Sequence, residues 1–183
     1  GVTLRFYVDG LALLIGYLAS GIGVLIFAYS AGYMHGEPGQ EKYYTTLLVF
    51  MGSMLGVAFA ADLLSIFVFW ELTSISSYVL IGHYTDDRDS RYAARKSMLI
   101  TVGGGLFMLV GFLLLASHTG TYDLVYLLGH AEEVRASLAS AGLVWPIIAL
   151  LAVGAAAKSA QVPLHIWLPN AMEAPTPVSA FLH

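Results

Sequence analysis

The chain has 183 residues, 58% hydrophobic and only 11% charged, with a mean hydropathy of +0.76; soluble domains carry about a quarter charged residues, so this composition implies lipid as the solvent. A net charge of −4 and a pI near 5.8 leave no basic footprint for nucleic acid. Zero cysteines exclude disulfides, thiol redox chemistry and cysteine-ligated zinc or iron–sulfur centres.

Apolar segments long enough to cross a hydrocarbon core of about 30 Å follow one another along the chain. They cover residues 9–34, 44–61, 62–84, 92–117 and 143–172, the last broken near 159–163, and a further helix starts over 177–183. The second and third meet at Ala60-Ala61-Asp62, which demands a tight hairpin. Between the fourth and fifth, residues 131–141 form a mixed stretch with Glu132, Glu133 and Arg135, which reads as an amphipathic helix lying at the membrane surface. The expected fold class is therefore an all-α integral membrane bundle of about five transmembrane helices with one discontinuous helix. Gly1 stands where an initiator Met is expected, no cleavable signal opens the chain, and the last helix stops two turns after it starts. A piece of a longer protein is the expectation.

Loop charges orient the spans. With alternating crossings one side receives Lys42, Arg88, Arg91, Arg95 and Lys96, and the other only Arg5 and Arg135. Counting Lys and Arg alone puts loops 35–43 and 85–91 in the cytoplasm of a cell-membrane protein. Tyr33, Tyr43, Tyr44, Tyr84 and Tyr92 cluster at the same ends, where interfacial aromatics belong.

Two charges lie inside spans. Glu71 is about nine residues into its segment, or about 13 Å deep at 1.5 Å per residue. An ionised carboxylate at that depth costs at least about 2.5–3.5 kcal/mol on insertion scales, so it must be protonated, paired or facing water. Lys158 follows the small-residue run Gly154-Ala155-Ala156-Ala157, which permits close helix approach. Pro163 cannot donate to the Ser159 carbonyl, so the helix should break between them and free carbonyls for water or ions. A carboxylate and a lysine of this kind make a workable proton switch; the alternatives are a structural helix lock and, for Lys158, snorkelling to the interface. Thr73, Ser74, Ser76 and Ser77 follow Glu71 and either hold water beside it or bond neighbouring helices. Thr176-Pro177 reads as a helix start, carrying His183 about 10 Å along the new helix, where an imidazole either relays protons or packs. His165 and Glu173 read as interfacial. Gly103-Gly104-Gly105 lies within a span with no strand before it and is no phosphate loop. Neither a zinc-protease helix nor a serine nucleophile elbow occurs, metal-ligand clustering is absent, and no cofactor or enzyme active site is indicated.

Several strings carry a resemblance: Phe69-Trp70-Glu71-Leu72, SYVLIG from Ser77, KSAQVP from Lys158, and the long HIWLPNAMEAPTPVSA from His165. They are similar to the antiporter-like subunits shared by Mrp-type multisubunit cation/proton antiporters, respiratory complex I and membrane-bound hydrogenases. The end of the chain and KSMLITVGGG from Lys96 resemble the A-type branch of the Mrp antiporter subunits in particular, and the lack of an intramembrane Arg and Asp in the fourth span argues against the large complex I subunit. The resemblance implies that residues 1–183 are a partial antiporter-like transmembrane domain of a fold with around fourteen or more helices and inverted repeats. It implies that Glu71 and Lys158 are the carboxylate–lysine pair of one half-channel, that the fifth span is the broken helix, and that His183 starts a central polar axis. Ser74, Ser77, Ser159 and Pro163 would be its polar and helix-breaking supports. Other antiporter subunits would be its partners, and Na+ and H+ the transported ions. A proton-pumping arm of a redox enzyme is the alternative.

Overall fold

The computed structural model describes residues 5–182; His183, expected to start the polar axis, lies outside the described residues. The fold is all-α: eight α-helices among these residues, with no strand. In order they are α1 (Gly10–Tyr33), α2 (Gln40–Phe59), α3 (Leu63–Ile81), α4 (Arg88–Thr119), α5 (Leu124–Gly129), α6 (Ala131–Ser140), α7 (Val144–Lys158) and α8 (Thr176–Leu182). Two short 3-10 turns, Leu164–Trp167 and Pro169–Glu173, connect α7 to α8.

Three helices, α1, α3 and α4, are long and apolar enough to cross a membrane, and α6 with α7 makes a fourth candidate bent by 113°. This is fewer than the five spans the apolar runs suggest. The reasons are local. The first turns of α2 carry Gln40, Glu41, Lys42 and two tyrosines, which dilute a helix of otherwise sufficient length. The fifth segment is α-helical only from Val144 to Lys158, about 22 Å at 1.5 Å per residue, and the rest winds as 3-10 turns. At the fourth segment the helix instead exceeds the apolar run, because the Asp87 carboxylate accepts from the Asp89 and Ser90 N–H groups and caps it four residues earlier.

Packing is antiparallel and close. The hairpin between α2 and α3 is a single extended step at Ala60–Asp62, and the buried Asp62 carboxylate caps α3 by accepting from Leu64 and Ser65 N–H. Extended backbone at Arg5–Tyr7, Ala60–Asp62 and Tyr122–Leu124 is laced by four backbone hydrogen bonds of 2.8–2.9 Å. Beside it Arg5 pairs with Asp123 at 2.6 Å. This clasp closes one end of the bundle. Amphipathic α6 lies beyond it, tied by its Ser137 hydroxyl to His118 of α4 at 2.9 Å. The outward faces of α1 and α4 carry Leu14, Tyr17, Leu25, Leu99 and Phe107 in exposed positions, as an apolar solvent allows.

The opposite end, carrying the α1–α2 and α3–α4 loops, is polar inside. Ser30 and Tyr43 share a buried hydrogen bond of 2.9 Å, part-buried Lys96 donates to Asn170 at 2.8 Å, and at the surface Tyr33 meets Thr176 at 3.2 Å. His83, just beyond α3, is 9% exposed and sits edge-on to Tyr43 and Tyr84. Burial, and then the nearby Lys42 charge, hold its imidazole below the ordinary pKa, against opposing effects of the Pro38 backbone and Glu37. The folded state thus prefers neutral His83, and stability is lost as pH falls from the ordinary imidazole range through that lower value. His83→Phe keeps the ring packing and removes the titration. Protease sensitivity of the two loops, compared at about pH 8 and about pH 5, should rise with acid in the wild type and stay flatter in the variant.

Candidate functional site

Glu71 and Lys158 come together through three helices. Glu71 is the ninth of the 19 residues of α3, and its side chain faces α4. Lys158 is the last residue of α7. The α4–α7 contact that delivers it is built from small residues: a Cβ on Gly104 would overlap the Ala157 methyl, and one on Gly154 would come within 2.6 Å of Met108 Cβ. Such a seam lets backbones approach closely, and the lysine then reaches past α4 to α3.

The Lys158 ammonium donates to the Ser74 hydroxyl at 2.8 Å and to the Trp70 carbonyl at 3.3 Å. It also lies over the Trp70 ring, 5.6 Å from its centroid. In that position the ammonium is directed to α3. Glu71 is the next residue along α3 after Trp70. Glu71 and Lys158 form no ion pair, however: both carboxylate oxygens are shielded and without a hydrogen-bond partner. The Trp70 indole N–H beside them is likewise buried and unpartnered. The carboxyl group and the indole N–H thus lie near the bonded ammonium without a protein partner of their own.

The hydroxyls of α3 mostly serve their own helix. Thr73 donates to the Trp70 carbonyl, Ser76 to that of Leu72 and Ser77 to that of Ser74, at 2.6–2.9 Å. Back-bonding of this kind satisfies a hydroxyl where no water competes. Only Ser74 reaches across to another helix, by accepting from Lys158.

The break after Lys158 has a defined cause. Gln161 N–H donates to the Ala156 carbonyl at 2.8 Å and Ala160 N–H to that of Ala157 at 3.4 Å, with Ala160 at φ 52°. This is a Schellman termination, and it comes before Pro163 acts. The Ser159 carbonyl that Pro163 cannot serve accepts from the Gln161 side chain at 3.2 Å. The buried Trp167 indole donates to the Ala157 carbonyl at 2.9 Å. The expected free carbonyls at the break are therefore largely occupied by the protein itself. Ser159 is exposed and bonds back to the Ala155 carbonyl, and Pro163 is exposed too, so neither touches the Glu71–Lys158 cluster. His165 and Glu173 are also exposed. No cluster of metal-binding side chains occurs among the described residues.

Comparison with known proteins gives this arrangement a family. Residues 60–183, which include the whole cluster, match the model described as NADH:quinone oxidoreductase/Mrp antiporter, TM. The chain belongs to that family. Residues 1–44 match the N-terminal model of NADH-ubiquinone oxidoreductase (complex I) chain 5. The chain is 46% identical over its full length to the A1 subunit of the Na(+)/H(+) antiporter of Staphylococcus aureus, of which it spans 22%. Among solved structures, the Mrp complex from Dietzia sp. DQ12-45-1b superposes over the whole chain with a TM-score of 0.88 and 38% identity, covering 20% of the matched chain in that complex. The membrane-bound sulfane sulfur reductase, an archaeal respiratory membrane complex, matches 98% of the chain with a TM-score of 0.85 and 26% identity, over 36% of its own length. The chain spans about a fifth of the curated relative it matches.

Reading charges off the sequence finds Glu71 and Lys158 but misses Gly105, against which the Glu71 carboxylate rests, and the Trp70 carbonyl, which takes the lysine. The three consecutive glycines in an apolar helix were the signal for the first; a backbone acceptor leaves none.

Ala160 offers a test of the break. An L-residue in the left-handed region costs roughly 1–2 kcal/mol more than glycine there. Ala160→Gly should slow amide hydrogen exchange at Ser159–Gln161, and unchanged exchange would show that the turn is set elsewhere.

Proposed function

We propose that this family member is part of the membrane subunit of a multisubunit Na+/H+ antiporter, a relative of the A-type Mrp subunits, and that protons pass through it by way of Glu71 and Lys158, with His183 continuing the path. The observation that carries this is a lysine held beside a buried, unpartnered carboxyl group in the middle of a membrane helix. Isolated charges in hydrocarbon are expensive, and ionisable groups there belong by default to ion or proton pathways. When the ammonium and carboxylate approach, each relieves the other's desolvation; when they part, a proton has to accompany or replace the charge. Alternating between the two arrangements moves a proton one step without covalent chemistry, so the activity is transport and not catalysis. Ser74 gives the lysine its seat in the separated arrangement, Ser77 bonds back to the Ser74 carbonyl, and Ser159 and Pro163 lie at the helix break that follows the lysine.

The 46% and 38% identities to a protein named for Na+/H+ antiport and to an Mrp complex support the antiporter reading over a redox-driven pump, since the respiratory relative is only 26% identical. Partners would be the other subunits of such an assembly, with Na+ and H+ as the transported ions and no cofactor in this segment. The Lys and Arg excess at the α1–α2 and α3–α4 end supports a cell-membrane topology with loops 35–43 and 85–91 cytoplasmic.

Lys158→Ala in the full-length protein removes the switch. With the complex assembled, Na+-driven pH change in inverted vesicles should fall at least about tenfold, and Glu71→Gln should do the same. Normal exchange in both would reduce the pair to a structural lock.

A further inference from the structure

Of the three consecutive glycines in α4, each meets a different surrounding. Gly103 has no neighbour within 4 Å of where a side chain would start, and Gly104 faces Ala157 on α7. Gly105 faces α3: a Cβ there would overlap Glu71 Oε1, lie 3.0 Å from Glu71 Cδ and lie 3.5 Å from Trp70 Cδ1. The missing side chain is therefore the space the carboxyl group occupies. Neither oxygen has a protein hydrogen-bond partner there among the described residues, and the fit to the space is one of shape.

We propose that Gly105 is a positioning residue, a notch in α4 that seats the Glu71 carboxyl group apart from Lys158. This rests on the reading in which Glu71 and Lys158 exchange a proton, and supplies what that reading needs, a second seat. Lys158 already has one, formed by Ser74 and the Trp70 carbonyl. With Glu71 in the notch and Lys158 on Ser74, the two are neighbours without a bond. A methyl group at position 105 would fill the notch and leave Glu71 only the positions outside it. The chain would still carry both charged groups but would lose the separated arrangement.

Glutamate and aspartate differ by one C–C bond, about 1.5 Å, so a shorter carboxylate should withdraw from an added methyl. The test uses the full-length protein in its assembled complex, with Na+-driven pH change in inverted vesicles as the readout. Gly103→Ala, two residues away in open space, should keep exchange within about twofold of the wild type. Gly105→Ala should lower it at least about tenfold. The double variant Glu71→Asp/Gly105→Ala should be at least about threefold more active than the product of the two single effects, which is the signature of coupled neighbours. Exchange in Gly105→Ala equal to that in Gly103→Ala would overturn the proposal, as would strictly multiplicative effects in the double variant. If Gly105→Ala prevents assembly, recovery of assembly on adding Glu71→Asp supports the notch, and continued failure overturns it. Glu71→Gln separates the two readings. Full exchange in that variant counts against the proton path itself, whereas lost exchange in Glu71→Gln with full exchange in Gly105→Ala counts against the notch alone.

Discussion

A carboxyl group and an ammonium group are brought together inside an apolar helix bundle, with both carboxylate oxygens shielded. Each charge buried alone in such a bundle costs several kcal/mol, so the surrounding fold has to supply partners or room for a proton. Three features answer to that demand. The glycine and alanine seam between α4 and α7 brings Lys158 within reach of α3. The Trp70 carbonyl and the Ser74 hydroxyl receive its ammonium. The absence of a side chain at Gly105 leaves space for the carboxyl group. Fill the seam or the notch and the same charges remain in the chain, but without the geometry that makes them tolerable.

Where α7 stops matters as much as what it packs against. Lys158 is its last residue, and a basic residue in the last turn of a helix is favoured by the dipole by about 0.3–1 kcal/mol at exposed sites. A helix running on through residue 163 would bury Lys158 in mid-helix and forfeit that contribution. The Schellman turn at Ala160 ends it instead, and the side chains of Gln161 and Trp167 take the carbonyls that the break exposes. A broken helix in lipid is stable only where its backbone groups are met by protein or water, and here protein meets most of them. In the proposed pathway the proton carriers would therefore be side chains and not a ring of bare carbonyls at the break.

Glu71, Lys158 and the discontinuity after Lys158 were legible in the sequence because each violates what a membrane helix tolerates: a carboxylate, an ammonium, a proline five residues on. The all-α class was legible from the long apolar runs. Other elements were hidden for physical reasons. A glycine triplet announces close packing but not which neighbour each glycine meets, since that depends on how α4 is rotated against α3 and α7. The hydroxyls of α3 could equally have faced water or a neighbour, and only tertiary contact shows that most bond their own helix. The end clasp joins backbone at Arg5, Ala61 and Leu124, and backbone pairing of this kind leaves no residue signature. The early start of α4 was written plainly in Asp87, whose capping strength an apolar-run reading passes over.

A switch requires two arrangements of similar free energy, and the magnitudes involved are of that kind. An ion pair at about 4 Å is worth about 4 kcal/mol at an effective dielectric near 20. In the separated arrangement Lys158 keeps two hydrogen bonds, and bonds to a charged donor contribute about 1.5–3 kcal/mol each. Forming the ion pair means giving up part of that, so neither arrangement dominates by more than a few kcal/mol. Deleting the Ser74 acceptor would tilt the balance toward pairing, and filling the Gly105 notch would tilt it the same way from the other side. Protonating the carboxylate, or removing the proton from the ammonium, abolishes the Coulomb attraction and returns the advantage to the separated seats. In the proposed switch the proton is thus the variable that would decide between the two positions, which is what coupling proton movement to a conformational step requires.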